Sequence, residues 1–368
     1  SFGSPSGMLV YIGTYTNNGS SSQCIYALRF DPASGALSKP FLAAKANNPT
    51  FLALHPNKRY LYTAGEIVPT DPLAASETGG IAAYAIDANT GKLTYLDNQC
   101  TSGKATTHLA VDATGKAVVA VSYGNNYVCT LPIAADFGLD SCSVFLQHHG
   151  PLGPNHQRQD KPHPHSVTLS PDNRFAFVCD LGLDRVFSYR FDADHAAIEP
   201  NDPPFAVVPA GVGPRHSTFS RDGRFFYVVN EMGGSICVFD YDAASGRLTL
   251  KQTISTLRAD YHGVNTSAEI CIHPNGRFVY ASNRGPDELA VFLRDEKTGL
   301  LKLVEIVPCG GKHPRNFELS PDGNWLLCAN RDTNNVVVFR VDSATGRLTP
   351  TGQSAEISQP VCVLFVPH

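Results

Sequence analysis

The sequence predicts an all-β fold: a seven-bladed β-propeller of four-stranded antiparallel blades. Three observations predict it. One turn motif recurs six times between apolar runs, a second turn motif recurs between copies of the first, and the two ends of the chain supply the strands of one further unit. The first motif reads His55-Pro56-Asn57-Lys58-Arg59, Asp112-Ala113-Thr114-Gly115-Lys116, Ser170-Pro171-Asp172-Asn173-Arg174, Ser220-Arg221-Asp222-Gly223-Arg224, His273-Pro274-Asn275-Gly276-Arg277 and Ser320-Pro321-Asp322-Gly323-Asn324. Its second residues lie 47 to 58 residues apart. Pro presets φ at a turn corner, and Asn, Asp and Gly tolerate the positive φ that closes it. Flanking runs rich in Val, Phe, Tyr and Ile make each motif a β-hairpin.

The second motif is Asp-x-x-Ser/Thr-Gly-x-Leu, starting at Asp31, Asp87, Asp242, Asp295 and Asp342. Asp and Ser/Thr bond local amides there, and Gly takes the left-handed position. Each unit of roughly 50 residues therefore holds two hairpin turns, about four strands and no helix-period stretch, as in a propeller blade. A lone four-stranded sheet cannot bury both faces, whereas blades stacked around an axis bury them against neighbours. The six motifs give six blades. The seventh is built from both ends: 8–15, 23–30 and 37–43 are three strands, and 358–366 is an innermost strand with nothing after it. The chain is one domain over 8–368. Residues 1–7 form a tail without the apolar core of a secretion signal, either the remnant of an expression tag or a processed stub. This predicts a cytoplasmic location, or a periplasmic or secreted one if the tail is a stub.

Composition narrows the function. Hydrophobic residues are 42 %, charged residues 17 % and the net charge is −4, ordinary for a globular chain. No Lys/Arg run marks nucleic acid as a partner, and no apolar stretch is long enough to span a membrane. The ten cysteines form no C-x-x-C pair, which disfavours a zinc or thioredoxin-like site. Most lie in apolar runs, such as Phe177-Val178-Cys179 and Leu326-Leu327-Cys328, and read as small core residues. The oligomeric state, monomer or dimer, is left open.

In a propeller the start of each first strand and the end of each second strand share one rim, because the hairpin reverses the chain. The first slot carries His163-Pro164-His165, Gly213-Pro214-Arg215-His216 and His313-Pro314-Arg315; the second carries Gly65-Glu66, Asn230-Glu231, Asn283-Arg284 and Asn330-Arg331. His, Arg and Glu gathered at one channel mouth point to a site for an anionic ligand with an acid/base group. Arg offers planar, bidentate recognition of carboxylate or phosphate, and His a proton acceptor near neutrality. The alternatives are structural: an Arg215–Glu231 ion pair, and Arg284 or Arg331 paired with Asp287 or Asp332. The His148-His149 pair, in a Gly/Pro loop, is expected to face solvent. Slots this cationic predict no metal and no cofactor.

The run Gly153-Pro154-Asn155 through Arg158 to His165-Ser166, with Asp180 to Val186, Gly213 to His216, Asn230-Glu231, Ser282 to Gly285 and Pro314 to Phe317, resembles the seven-bladed propeller lactonase family. That family contains 6-phosphogluconolactonases and the fungal carboxy-cis,cis-muconate cyclase. The resemblance implies a catalytic set of His165, Arg215, Glu231 and Arg284. In Arg284-Gly285-Pro286-Asp287-Glu288 the chain departs from the family's usual Arg-Gly-His-Asp-Ser at Pro286 and Glu288, and it departs also at Cys271 (often His) and at Arg331 (often Gln). What it implies is a metal-independent lactonase acting on a small anionic lactone, most simply a 6-phosphogluconolactonase. His165 would be the general base, Arg215 would hold the carbonyl oxygen and Glu231 would tune Arg215 or the water. Arg284, Arg315 and Arg331 are candidates for phosphate; His163, His216, His313 and Glu66 complete the expected binding set. A carboxymuconate-type cycloisomerase, a lactonase of unphosphorylated sugars and a non-enzymatic binding propeller are the alternatives.

Overall fold

The computed structural model describes residues 7–67, 78–101 and 106–368. Seven four-stranded antiparallel sheets follow one another around a ring. Blade 1 is the composite one: its innermost strand Pro360–Val366 pairs with Met8–Thr14, which continues to Cys24–Phe30 and Phe41–Lys45. The register Tyr11↔Leu364 and Ile12↔Val363 closes the ring. The third of the terminal strands starts later than the sequence suggests. Leu37 makes only an isolated bridge to Phe30, and the strand proper begins at Phe41. Blades 2 to 7 begin at Asn47–Leu54, His108–Val111, Pro164–Leu169, Pro214–Phe219, Thr266–Ile272 and Pro314–Leu319, which line the central channel.

Both turn motifs act where their chemistry predicts. In the first, Ser170 Oγ accepts the Phe175 amide, and the Ser170 amide donates to the Phe175 carbonyl at 2.8 Å. The second motif also joins blades. Gly299 of blade 6 has φ 73°, and a Cβ there would lie 2.4 Å from the Phe225 ring of blade 5. Tyr227 of blade 5 donates to the Gly299 carbonyl at 2.7 Å. Gly346 repeats this with Phe278 and Tyr280 of blade 6. The motif is therefore a peg docked on the preceding blade, and this is why Gly, an aromatic residue and Tyr recur at fixed offsets. Blade 4 lacks the motif's glycine; Ala196 takes the positive φ instead.

Apolar clusters fill each inter-blade gap. The one at the closure joins Val10, Phe30, Val363 and Phe365 to Trp325, Leu327 and Val336 of blade 7. Nine of the cysteines fall among the described side chains; none is in a disulfide, and all but Cys142 are buried. Among the described residues no helix is long and apolar enough to cross a membrane.

Candidate active site

Three innermost strands open with the same irregularity. Pro164 pairs with Asp180 and Ser166 with Cys179, so His165 is an extra residue with no partner. The shift between Pro214 and His216 leaves Arg215 in the same position, and that between Pro314 and Asn316 leaves Arg315. A bulge re-aims the extra side chain and is characteristic of ligand sites. Here the preceding Pro gives up a ladder hydrogen bond without loss, because it has no N–H. All three bulged residues line one cavity of about 440 Å³ at the channel mouth.

Glu231 and Arg284 enter it from the ends of second strands, as the slot argument predicts. Glu231 organises the cations. Its Oε1 accepts Arg215 Nε at 2.8 Å and Arg284 Nη2 at 2.9 Å, while Oε2 takes Arg158 Nη2. Arg215 also donates to the Ala268 carbonyl, and Arg284 to that of Thr266. Arg215 Nη2 and Arg284 Nη1 make no protein hydrogen bond among the described residues. Burial raises the Glu231 pKa, but Arg215, Arg284 and Arg158 outweigh it and hold the carboxyl at about 2. Burial and the neighbouring Arg215 press Arg284 down to about 9, while Glu231 opposes them. Arg315 is different. It lies over the Tyr15 ring at 5.2 Å, a cation–π contact, and has no carboxylate partner among the described residues. Among the described residues the cavity thus holds four guanidiniums against one carboxylate.

His165 is buried at the cavity wall, edge-on to Tyr123 and His216, each at 5.3 Å between ring centres. Burial first, then Arg215, His216, Arg315 and Arg284, press its pKa well below 6.5. It is therefore a neutral imidazole at neutral pH. Its Nδ1 is buried and has no hydrogen-bond partner among the described residues, so no protein contact fixes the protonation of that nitrogen.

Other expected binding residues lie elsewhere. His163 stacks on Tyr123 at 4.0 Å and bonds the Tyr123 carbonyl and Asp160; it supports the cavity wall from behind. His216 points down the channel, with Nδ1 2.9 Å from Glu269 Oε1. His313 takes a positive φ and lies 3.8 Å from Asp332, and Arg331 is tied to Asp332 at 2.9 Å, so neither lines the cavity. Glu66 is the penultimate residue of the strand Tyr60–Ile67, opposite Asn47 and Gly79, and its side chain lies outside the described residues. The expectation for His148 is corrected. It is buried, bonded to Asp180 at 2.7 Å and to the Tyr189 hydroxyl at 2.6 Å, and stacked on Phe187.

Sequence reasoning missed Arg158, Tyr15, Tyr123, Thr107 and Thr266 in the cavity wall. It also missed Glu269 and Glu318, deeper in the channel. Burial raises Glu269 to about 7; burial and then the Glu269 charge raise Glu318 to about 8. Glu269 takes hydrogen bonds from the Ile270 amide and Asn316. Among the described residues no three His, Cys, Asp or Glu side chains converge to hold a metal ion.

The seven-bladed ring also matches what known proteins show. The family model described as lactonase, 7-bladed beta-propeller, matches residues 9–365. The chain belongs to the seven-bladed β-propeller lactonase family. It is a lactonase, a hydrolase that opens a cyclic ester. The 6-phosphogluconolactonase of Bacillus subtilis is 35 % identical over 97 % of both chains. Among solved structures, the periplasmic gluconolactonase of Pseudomonas aeruginosa superimposes with a TM-score of 0.90 at 32 % identity, covering 98 % of this lactonase and 99 % of that chain. A putative 6-phosphogluconolactonase of Bacteroides fragilis does so with 0.89 at 32 % identity over the full length of both.

Proposed function

We propose that this lactonase hydrolyses a phosphorylated sugar-acid lactone, 6-phosphogluconolactone, in the cavity at the channel mouth. The observation that carries the reading is the charge imbalance there. Among the described residues four guanidiniums face one carboxylate, and Arg315 has no carboxylate of its own. A neutral sugar lactone would leave this excess uncompensated, whereas a phosphate monoester carries close to two negative charges. The Bacillus subtilis relative, a 6-phosphogluconolactonase, and the putative 6-phosphogluconolactonase of Bacteroides fragilis agree with it.

The chemistry follows from the same side chains. Neutral His165 takes a proton from a water molecule as the water oxygen attacks the lactone carbonyl carbon. The free N–H groups of Arg215 and Arg284 receive the developing oxyanion. Collapse of the tetrahedral species breaks the bond to the ring oxygen, which takes the proton back from His165. Glu231 holds both arginines in place and stays ionised throughout. A positioned general base contributes about 10²–10⁴ in rate, and one oxyanion donor about 10²–10³; a δ-lactone needs no more.

The test is kcat/KM on a panel of phosphorylated and unphosphorylated sugar lactones. One charge-assisted hydrogen bond is worth about 1.5–3 kcal/mol, so the phosphorylated lactone is expected to win by about ten- to hundredfold. Equal values would overturn the phosphate assignment.

A further inference from the structure

We propose that Arg158 is a specificity-determining residue of this lactonase: it reads the phosphoryl group of the substrate, from a strap built to present it. The proposal rests on the phosphorylated-lactone reading above.

Residues 147–163 join blades 3 and 4 and form the longest connection between blades. Long connections without strands or helices are usually functional or disordered, and this one is tightly ordered. At its start, His148 is buried between Asp180, Tyr189 and Phe187. In its middle, Gln159 is fully buried; its Nε2 donates to the Leu181 carbonyl and its Oε1 accepts the Asn155 amide. At its end, the His163 amide donates to Asp180 Oδ1 at 2.8 Å. The one carboxylate of Asp180 thus fastens both ends of the strap. Gly182 lets the strap pass, since a Cβ there would lie 1.9 Å from the Lys161 carbonyl.

The residue this scaffold delivers to the cavity is Arg158. Its side chain is 35 % exposed, against 2 % for Arg215 and 8 % for Arg284. Those two are held between Glu231 Oε1 and backbone carbonyls, so they serve the reacting carbonyl at the cavity floor. Arg158 meets the other oxygen of Glu231 and the Tyr123 side chain of the cavity wall, and it shares the single charge of Glu231 with Arg215 and Arg284. A dianionic oxyanion offers it more charge than that shared oxygen does. A backbone ordered during folding has also already met the entropy cost of presenting the side chain, which is what makes a fixed arginine selective. Arg315 is the second cation within the same cavity. Arg331, held by Asp332 outside it, is not.

Two measurements test this on the intact protein. The first is the ratio of kcat/KM for 6-phosphogluconolactone to that for the unphosphorylated lactone. The second is the inhibition constant of inorganic phosphate against either substrate. In Arg158→Met the ratio is expected to fall at least tenfold and the phosphate constant to rise at least tenfold. Arg158→Lys, which keeps a point charge but not the planar fork, is expected to fall between Met and wild type in both. Thermal unfolding followed by the single tryptophan checks that each variant is folded. A wild-type ratio near one would overturn the phosphorylated-lactone reading, and this proposal with it. A high wild-type ratio that survives in both folded variants, with unchanged phosphate inhibition, would overturn the role of Arg158 alone. Should Met unfold the strap, the Lys variant decides: wild-type values for it in both measurements count against the proposal.

Discussion

Glu231→Gln offers a test of how the arginine cluster is held. Glu231 is 3 % exposed and meets Arg215, Arg284 and Arg158. Its pKa falls from 4.5 to about 2 on folding, and at 1.36 kcal/mol per unit this corresponds to about 3 kcal/mol of stability at pH 7. A second route gives a similar figure: removing one partner of a buried ion pair typically costs about 3–5 kcal/mol. The sign follows from linkage. A depressed carboxyl contributes fully above its unfolded pKa and loses that contribution as pH falls through the folded one. The wild type should therefore exceed Glu231→Gln by about 3 kcal/mol at pH 7, and less than half of that gap should remain at pH 3. The assay is equilibrium urea unfolding followed by Trp325, the single tryptophan, buried where blade 7 meets blade 1. Coincident unfolding of the two proteins at pH 7, or a gap that does not narrow by pH 3, would refute the reasoning.

Four further outcomes are expected. His165→Ala should fold normally and lose at least about 10²-fold in kcat/KM, measured by pH-stat titration of the released acid. Because burial and three arginines hold the His165 pKa well below 6.5, and the base works when deprotonated, enzyme-catalysed kcat/KM on an unphosphorylated lactone, which does not itself titrate here, should stay level as pH falls from 7 to 6; a half-maximal point near 6.5 would contradict this. Chelation with EDTA should leave turnover intact, since a cavity whose described residues carry four guanidiniums and one carboxylate repels a divalent cation; loss of activity restored by calcium or zinc would show otherwise. Phe365→Ala, in the cluster that seals blade 1 to blade 7, should cost about 3–5 kcal/mol in urea unfolding.

The fold was legible because each repeated residue type has a repeated physical job. The Asp-x-x-Ser/Thr-Gly turn recurs because Gly299 and Gly346 must each meet a ring of the preceding blade. Part of the site was legible for a similar reason: the residue after Pro at a first strand is the bulged one, so His165, Arg215 and Arg315 shared a local signature. The same signature misled at the residues before the prolines, His163 and His313, which the bulge leaves facing away from the cavity. Arg158 belongs to no repeat, and only the tertiary lock on its strap brings it inward. Its neighbour His148 looked solvent-facing because its partners Asp180 and Tyr189 are 32 and 41 residues away. Glu269 did leave a trace, as a lone charge inside the otherwise small and apolar Ala268-Glu269-Ile270-Cys271 run.

The composite blade also dictates an order of events during synthesis. Tyr11 and Leu364 pair across about 350 residues of intervening chain, so their sheet is the last that a growing polypeptide can complete. Until then Met8–Thr14, wholly buried in the finished ring, presents an open edge of unpaired amides and carbonyls beside apolar side chains. Such an edge recruits strands from other chains, and long-range pairing of this kind is slow to form. The ring's final closure is thus also its period of greatest exposure to aggregation. Translation speed and chaperone supply near the end of synthesis should govern the yield of this protein more than the stability of any one blade.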